Sequence, residues 1–243
     1  MKDLYDRYKG KHLKIEHKKG SELMNINNQL KNNYRKIIVD QSVGYSFGNP
    51  VSFGLDKENY SESLYQDYYK RIQNFIKLNN INDLLPETEK KRACSGYAAW
   101  LVYRDTNSDI KVMLINGWNI TFITNENGET VAAIRYYHVL RNDEWITKVE
   151  VYDNKNIYHF IDAGGNYIPD PREEKNPRPH NFDYIPVVKV KNNEEEQGDF
   201  EAVESLIDAY DDLISSVQDE IEAFRMAYLS IFGALFYVES LIY

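Results

Sequence analysis

Apolar and polar positions change period several times along this chain. Ile26, Leu30, Tyr34, Ile37 and Ile38, with Gln41, fall on one face of a 3.6-residue repeat and predict a helix over Met24–Val43. Asn25 suits its N-cap. Gly44, Gly48 and Pro50 interrupt the repeat, and Tyr45, Phe47, Val51 and Phe53 between them predict an extended strand or loop. Leu64, Tyr68, Ile72, Phe75 and Ile76 predict a second helix over Ser61–Leu78. A third is expected from Glu87 to about Tyr97, with Pro86 at its start, where a missing amide costs nothing.

From Ala98 the pattern alternates. Candidate strands are Ala98–Arg104, Lys111–Ile115, Ile120–Thr124, Val131–Leu140, Ile146–Asp153 and Asn156–Ile161. Between them lie turn formers: Glu126-Asn127-Gly128-Glu129, Arg141-Asn142-Asp143, Asp153-Asn154-Lys155 and Ala163-Gly164-Gly165-Asn166. Such close, regular spacing predicts an antiparallel meander. Prolines crowd Pro169–His180, which reads as a loop, and Tyr184–Lys191 reads as a short strand.

The last segment has the longest periodicity. Val203, Tyr210, Val217, Phe224 and Ile231 recur every seventh residue, with Leu206, Ile207, Leu213, Ile214, Ile221 and Tyr228 adjoining them. A helix over Asp199–Phe232 follows, about 50 Å long at about 1.5 Å per residue. Asp208, Asp211, Asp212, Asp219, Glu220 and Glu222 fall off the apolar stripe and read as a solvated acidic face. The fold class is therefore α+β: N-terminal helices, a central antiparallel meander and a long C-terminal amphipathic helix. The expected divisions are an arm at 1–20, an α+β domain at 21–198, a long helix at 199–233 and an apolar tail at 234–243.

Composition narrows the function. The chain has 243 residues and a net charge of −9. An acidic surface disfavours tight non-specific nucleic-acid binding, which depends on Lys and Arg neutralising phosphates. Twenty tyrosines suit half-buried surfaces and subunit contacts. Cys94 is the sole cysteine, so neither an internal disulfide nor a Cys-based zinc set is available. The N-terminus lacks the apolar core of a secretory signal. Met226–Val238 is apolar but shorter than the about 20 residues a membrane span needs, so no membrane association is expected.

Chemical motifs are sparse. There is no phosphate-binding G-x-x-x-x-G-K-[ST], no G-x-G-x-x-G and no H-E-x-x-H. His12, His17, His138, His159 and His180 are dispersed. Asp208, Asp211 and Asp212 form the densest carboxylate cluster, a pattern that can hold Mg²⁺, but no phosphate-binding motif accompanies it. No catalytic, cofactor-binding or metal-ligating residue is assigned, and no cofactor is expected.

An ordered set of short motifs resembles one family. Asn33-Tyr34, Ile37-Ile38-Val39-Asp40, Val43-Gly44-Tyr45 and Gly48-Asn49-Pro50-Val51 come first. Tyr97-Ala98-Ala99-Trp100 follows, then Ile185-Pro186-Val187-Val188, Asn192-Asn193-Glu194 and Gly198-Asp199-Phe200-Glu201, and last Ser205-Leu206-Ile207-Asp208-Ala209-Tyr210-Asp211. In order and spacing these resemble the SPP1-type portal proteins of tailed bacteriophages. The resemblance implies a non-enzymatic virion protein: a homo-oligomeric ring, typically dodecameric in the family, at one vertex of the capsid. Double-stranded DNA passes through its channel during packaging and ejection without sequence-specific binding. Implied partners are the terminase, which holds the ATPase, the capsid and the head–tail connector proteins, with assembly in the host cytoplasm. The part present resembles the wing and its long helix. The resemblance fades after Gly233, so the chain is expected to be either a fragment or the product of a truncated prophage gene, without clip, stem or crown. Two other classes stay open from the residues: a scaffold that docks a partner helix along the last helix, and a Mg²⁺-dependent phosphoryl-transfer enzyme using Asp208, Asp211 and Asp212.

Overall fold

The structure, a computed structural model, describes residues 1–11, 28–54 and 62–239, with side chains on the last helix described to Arg225. The fold is α+β, with a layer of helices on one side of two antiparallel sheets.

The helices are α1 (Lys2–Tyr8), α2 (Tyr34–Phe47), α3 (Glu62–Leu78), α4 (Ile81–Ser95) and α5 (Glu204–Glu239). The expected arm therefore contains a helix. Tyr8 is buried, and its hydroxyl donates to Asp40 Oδ1 at 2.8 Å.

Helix α2 differs from its predicted bounds at both ends. Met24–Asn27 lie outside the described residues, and residues 28–33 are not helical. Asn33, rather than Asn25, is the N-cap, its Oδ1 accepting the Lys36 amide at 3.2 Å. Asparagine is a weak helix former and a strong cap, so a stretch rich in it delays the helix. At the other end α2 runs through Gly44, Tyr45 and Phe47, where a strand or loop was expected. One interior glycine costs only about 1 kcal/mol relative to alanine. Val43 packs on the core and holds the turn in place, and Gly48-Asn49-Pro50 ends it.

Helix α4 begins at Ile81, so Pro86 lies inside it rather than at its start. Asp83 and Leu84 both donate to the Asn80 carbonyl at 2.9 Å, so the first turn closes before the proline. Pro86 then removes one amide from the ladder. Burial of Ile81, Ala93 and Cys94 offsets that loss.

The strands are β1 (Tyr97–Arg104), β2 (Ile110–Asn116), β3 (Ile120–Thr124), β4 (Thr130–Arg141), β5 (Glu144–Tyr152), β6 (Asn156–Asp162), β7 (Tyr167–Pro169), β8 (Arg178–Pro179) and β9 (Val187–Lys191). They form not one meander but two sheets. The smaller has the order β2-β1-β9 and the larger β3-β4-β5-β6-β7, with β8 added to β6. The segment read as a proline loop thus supplies one short strand, β8, and the last residue of β7. The turns act as their residues demand. Asn142 and Asp143, at φ 50° and 65°, join β4 to β5 in a two-residue hairpin.

Alternation along β1 places it between two layers. Tyr97, Ala99 and Leu101 face the larger sheet and form a core with Ile115, Ile120, Ala133, Tyr152 and Val187. Trp100 faces α4, and its Nε1 donates to Thr88 Oγ1 at 2.8 Å. A second core, Tyr8, Val39, Ala93, Cys94, Phe200 and Ile207, joins α1, α2 and α4 to the start of α5. Burial pushes the Cys94 thiol up to about 12, so it serves as a small core residue.

Gly96 ties these layers together. It caps α4 at φ 84°, and a Cβ there would lie 1.7 Å from the Glu196 carbonyl oxygen. Residues 196–198 can therefore pass close to the end of α4 and aim the chain at α5. The helix begins later than expected. Asp199 accepts from Asn192 Nδ2, and a 3-10 turn at Glu201–Val203 precedes Glu204.

Candidate assembly surface on the long helix

Helix α5 has 36 residues and spans about 54 Å at about 1.5 Å per residue. It extends beyond the expected end at Phe232 into the apolar tail, while residues 240–243 lie outside the description. No described helix is long and apolar enough to cross a membrane.

Its inward face is polar. Glu204 and Asp208, one turn apart, are gripped by two arginines. Arg35 of α2 donates to both oxygens of Glu204 at 3.0 and 2.9 Å and to Asp208 Oδ1 at 2.5 Å. Arg7 of α1 bonds Glu204 and reaches Asp208 Oδ2 at 3.1 Å. Burial works against the charge of each arginine, yet hydrogen bonds and attraction to the two carboxylates outweigh it and raise both pKa values.

Further along the same face the helix binds backbone. Asp211 Oδ1 accepts the Asn32 amide at 2.9 Å, Ser215 Oγ the Leu30 amide at 3.0 Å, and Asp219 Oδ1 the Asn28 amide at 2.8 Å. Every second amide of the segment meets every fourth residue of the helix. The two repeats match: two extended residues advance about 6.6 Å and four helical residues about 6.0 Å. Ser215 also donates to the Asp211 carbonyl at 2.7 Å, which orients its hydroxyl oxygen toward Leu30.

The expectation of a solvated acidic face is therefore corrected. Asp208, Asp211 and Asp219 hold the N-terminal segments, while Asp212 and Glu220 are exposed. The carboxylate cluster does not converge on a common point. Asp208 faces two guanidinium groups, Asp211 a backbone amide, and Asp212 solvent. Among the described residues no group of His, Cys, Asp or Glu is arranged to hold a metal ion.

The apolar stripe faces the other way. Leu213 lies two residues from both Asp211 and Ser215, about 200° round a helix of 3.6 residues per turn. Leu206, Leu213 and Phe224 are 68, 59 and 69% exposed, and Tyr210, Val217 and Ile221 are exposed with them. Of the stripe residues, Ile207 enters the core and Val203 packs against it. The side chains of Tyr228 and Ile231 lie outside the description. The surface continues onto α2, where Tyr34 meets Tyr210 edge-on at 5.5 Å and Ile37 and Tyr45 are exposed.

A second apolar surface lies on the outer face of the larger sheet. Ile134, Tyr136, Val149, Val151, Phe160 and Tyr167 line an open hollow of about 350 Å³. The heptad pattern signalled the α5 stripe. The hollow was missed because its residues come from β4 to β7 and meet only through strand register.

An α+β domain that turns the apolar stripe of its longest helix outward has the make-up of an assembly module. The chain matches the family described as phage portal protein, SPP1 Gp6-like, over residues 1–241, and it belongs to that family. The match takes in most of the tail that the sequence reading set apart from the family pattern. The chain is similar to the portal protein of Bacillus phage SPP1, 27% identical over 212 residues, covering 82% of this chain and 40% of that protein. It is also similar to the portal protein of Clostridium phage phiCD119, 25% identical over 236 residues, covering 86% of this chain and 48% of that protein. The chain thus spans less than half the length of these relatives.

Proposed function

We propose that this chain forms the α+β, wing-like part of a portal ring subunit, whose ring stands at a capsid vertex and conducts double-stranded DNA into and out of the virion. The outward stripe on α5 carries this reading. Exposed leucine and phenylalanine along a helix whose inner face is already satisfied mark a surface that another subunit covers. Closing a ring takes head-to-tail contacts, in which two different patches of the same molecule meet. The stripe and the outer hollow of the larger sheet are two such patches.

The role in this reading is structural, not catalytic. Asp208 and Asp211 serve packing and Asp212 is a solvated surface residue, and DNA passes without sequence-specific contacts. Terminase, capsid and head–tail connector proteins are the proposed partners, with assembly in the host cytoplasm. The clip, stem and crown are proposed to lie outside this chain.

Sedimentation velocity tests the reading. The chain is expected to self-associate as its concentration rises, and Leu213→Glu with Phe224→Glu to keep it monomeric. A chain that stays monomeric at every concentration, or a double variant that associates equally well, would count against α5 as the assembly surface.

A further inference from the structure

A cavity of about 360 Å³ opens between the two sheets, in the size range of small-molecule sites. Leu101 and Met113 come from the smaller sheet, and Tyr152 and Ile157 from the larger. The segment Arg178–Phe182 and Pro186 complete the wall.

Its charge is opposite to that of the chain. The protein carries a net −9, yet Arg104, Arg135 and Arg178 line this cavity against one carboxylate, Glu150. Glu150 is fully engaged. It accepts from Arg135 Nη1 at 3.0 Å and from the hydroxyls of Tyr137 and Tyr152 at 2.7 Å each. Arg135 is thereby neutralised. Arg104 and Arg178 have no carboxylate partner among the described residues. Arg104 donates to the Ser108 carbonyl at 3.3 Å and lies 5.5 Å from the Phe182 ring centre.

The two histidines on the wall differ. His180 is committed: its Nδ1 accepts the Phe182 amide at 3.1 Å, so Nε2 carries the proton and donates to the Asp153 carbonyl at 3.0 Å. His159 is buried, and neither ring nitrogen has a hydrogen-bond partner. Glu150 and Glu173 approach its Nδ1 only to 3.7 and 3.9 Å. Its backbone is pinned, with the amide donating to Asn176 Oδ1 at 2.9 Å and the carbonyl accepting from Asp170 at 3.0 Å. A buried imidazole held in place without partners is destabilising unless something else meets it.

We propose that this cavity binds a small organic oxyanion, a phosphate or carboxylate on a flat or apolar body. Arg104 and Arg178 supply the charge, and guanidinium matches both oxyanions in geometry. Tyr152, Ile157, Met113 and Leu101 receive the body, and His159 gains a polar partner. Every residue named in this site belongs to the one chain.

Phenyl phosphate and benzoate are the probes, with phenol as the uncharged control and sulfate as the control for ionic strength. Thermal unfolding of the full chain should shift upward with at least one of the two anions and not with phenol. The His159 ring nitrogen resonances should move in the same titration. Arg178 is exposed, so Arg178→Gln should fold normally by circular dichroism and bind at least tenfold more weakly, as should Arg104→Gln. No shift with either anion, static His159 resonances, or equal stabilisation of wild type and Arg178→Gln by phenyl phosphate and by benzoate would overturn the proposal.

Discussion

Arg35 holds a full charge with no solvent exposure, and its partners Glu204 and Asp208 are themselves largely covered. Removing one member of such a group leaves charges that water cannot reach. Arg35→Met is expected to destabilise the chain by about 3 kcal/mol, read from urea unfolding midpoints. A loss near zero would show that Arg7 alone neutralises the pair. Asp170 supports the larger sheet in a similar way. Arg141 donates to both its oxygens at 3.0 and 2.8 Å, and Lys148 approaches at 3.2 Å. The Arg141 bond, ahead of the opposing effect of burial, holds the Asp170 pKa far below the usual carboxylate range. A depressed folded-state pKa stabilises above the unfolded value, about 3.9, and that stabilisation is lost as pH falls toward the folded value. Asp170→Asn should therefore be less stable than wild type at pH 7, with the gap narrowing below about pH 4. A gap constant with pH would assign the effect to packing instead. No periodicity pointed to either group. Arg35 lies in a helix expected from apolar spacing, and its partners are more than 160 residues away in the chain.

Helix α5 was legible in its length and its seven-residue repeat, but the direction of its faces was not. A repeat shows that one stripe is apolar; it does not show which stripe meets the parent domain. Here the domain takes the face with Glu204, Asp208, Asp211, Ser215 and Asp219, because two arginines and three backbone amides need acceptors there. The same need helps explain why residues 28–33 are not helical: the amides of Asn28, Leu30 and Asn32 are bonded to α5 rather than along the segment. Ser215→Ala removes the acceptor for Leu30 without adding bulk at this buried position. Hydrogen exchange at the Leu30 amide should quicken on the order of tenfold, consistent with the loss of one partly buried bond. An unchanged rate would mean that Ser215 does not hold the segment.

At the scale of the molecule, folding and association separate. The two cores hold the sheets and the helical layer, while the stripe from Leu206 to Phe224 contributes to neither beyond Ile207. Leu213→Glu with Phe224→Glu should leave the thermal stability of the monomer within about 0.5 kcal/mol of wild type, since exposed substitutions away from special features are nearly neutral. A large loss of monomer stability would mean the stripe is covered within the subunit itself. The family motifs do not sit at one place in this fold. Val43-Gly44-Tyr45 and Gly48-Asn49-Pro50 end α2, and Tyr97–Trp100 opens the central strand of the smaller sheet. Gly198-Asp199-Phe200 threads past α4, where Asp199 donates to the Ala93 carbonyl at 2.8 Å and Phe200 is fully buried.

The sequence by itself determined the local elements: the α+β class, most strand positions, the tight turns and the long last helix. These follow from period, cap and turn chemistry acting over a few residues. The tertiary structure alone decided how they combine. The strands divide into two sheets because β2 and β3, separated by the 3-10 turn Gly117–Asn119, do not pair, while β9 returns to pair with β1 across a long intervening stretch. Asp208, Asp211 and Asp219 became fastenings because Arg7, Arg35 and the 28–32 backbone arrive from far along the chain. Arg104, Arg178 and His159 share one cavity for the same reason. Pairing over such separations depends on which surfaces meet, and a one-dimensional pattern does not carry that.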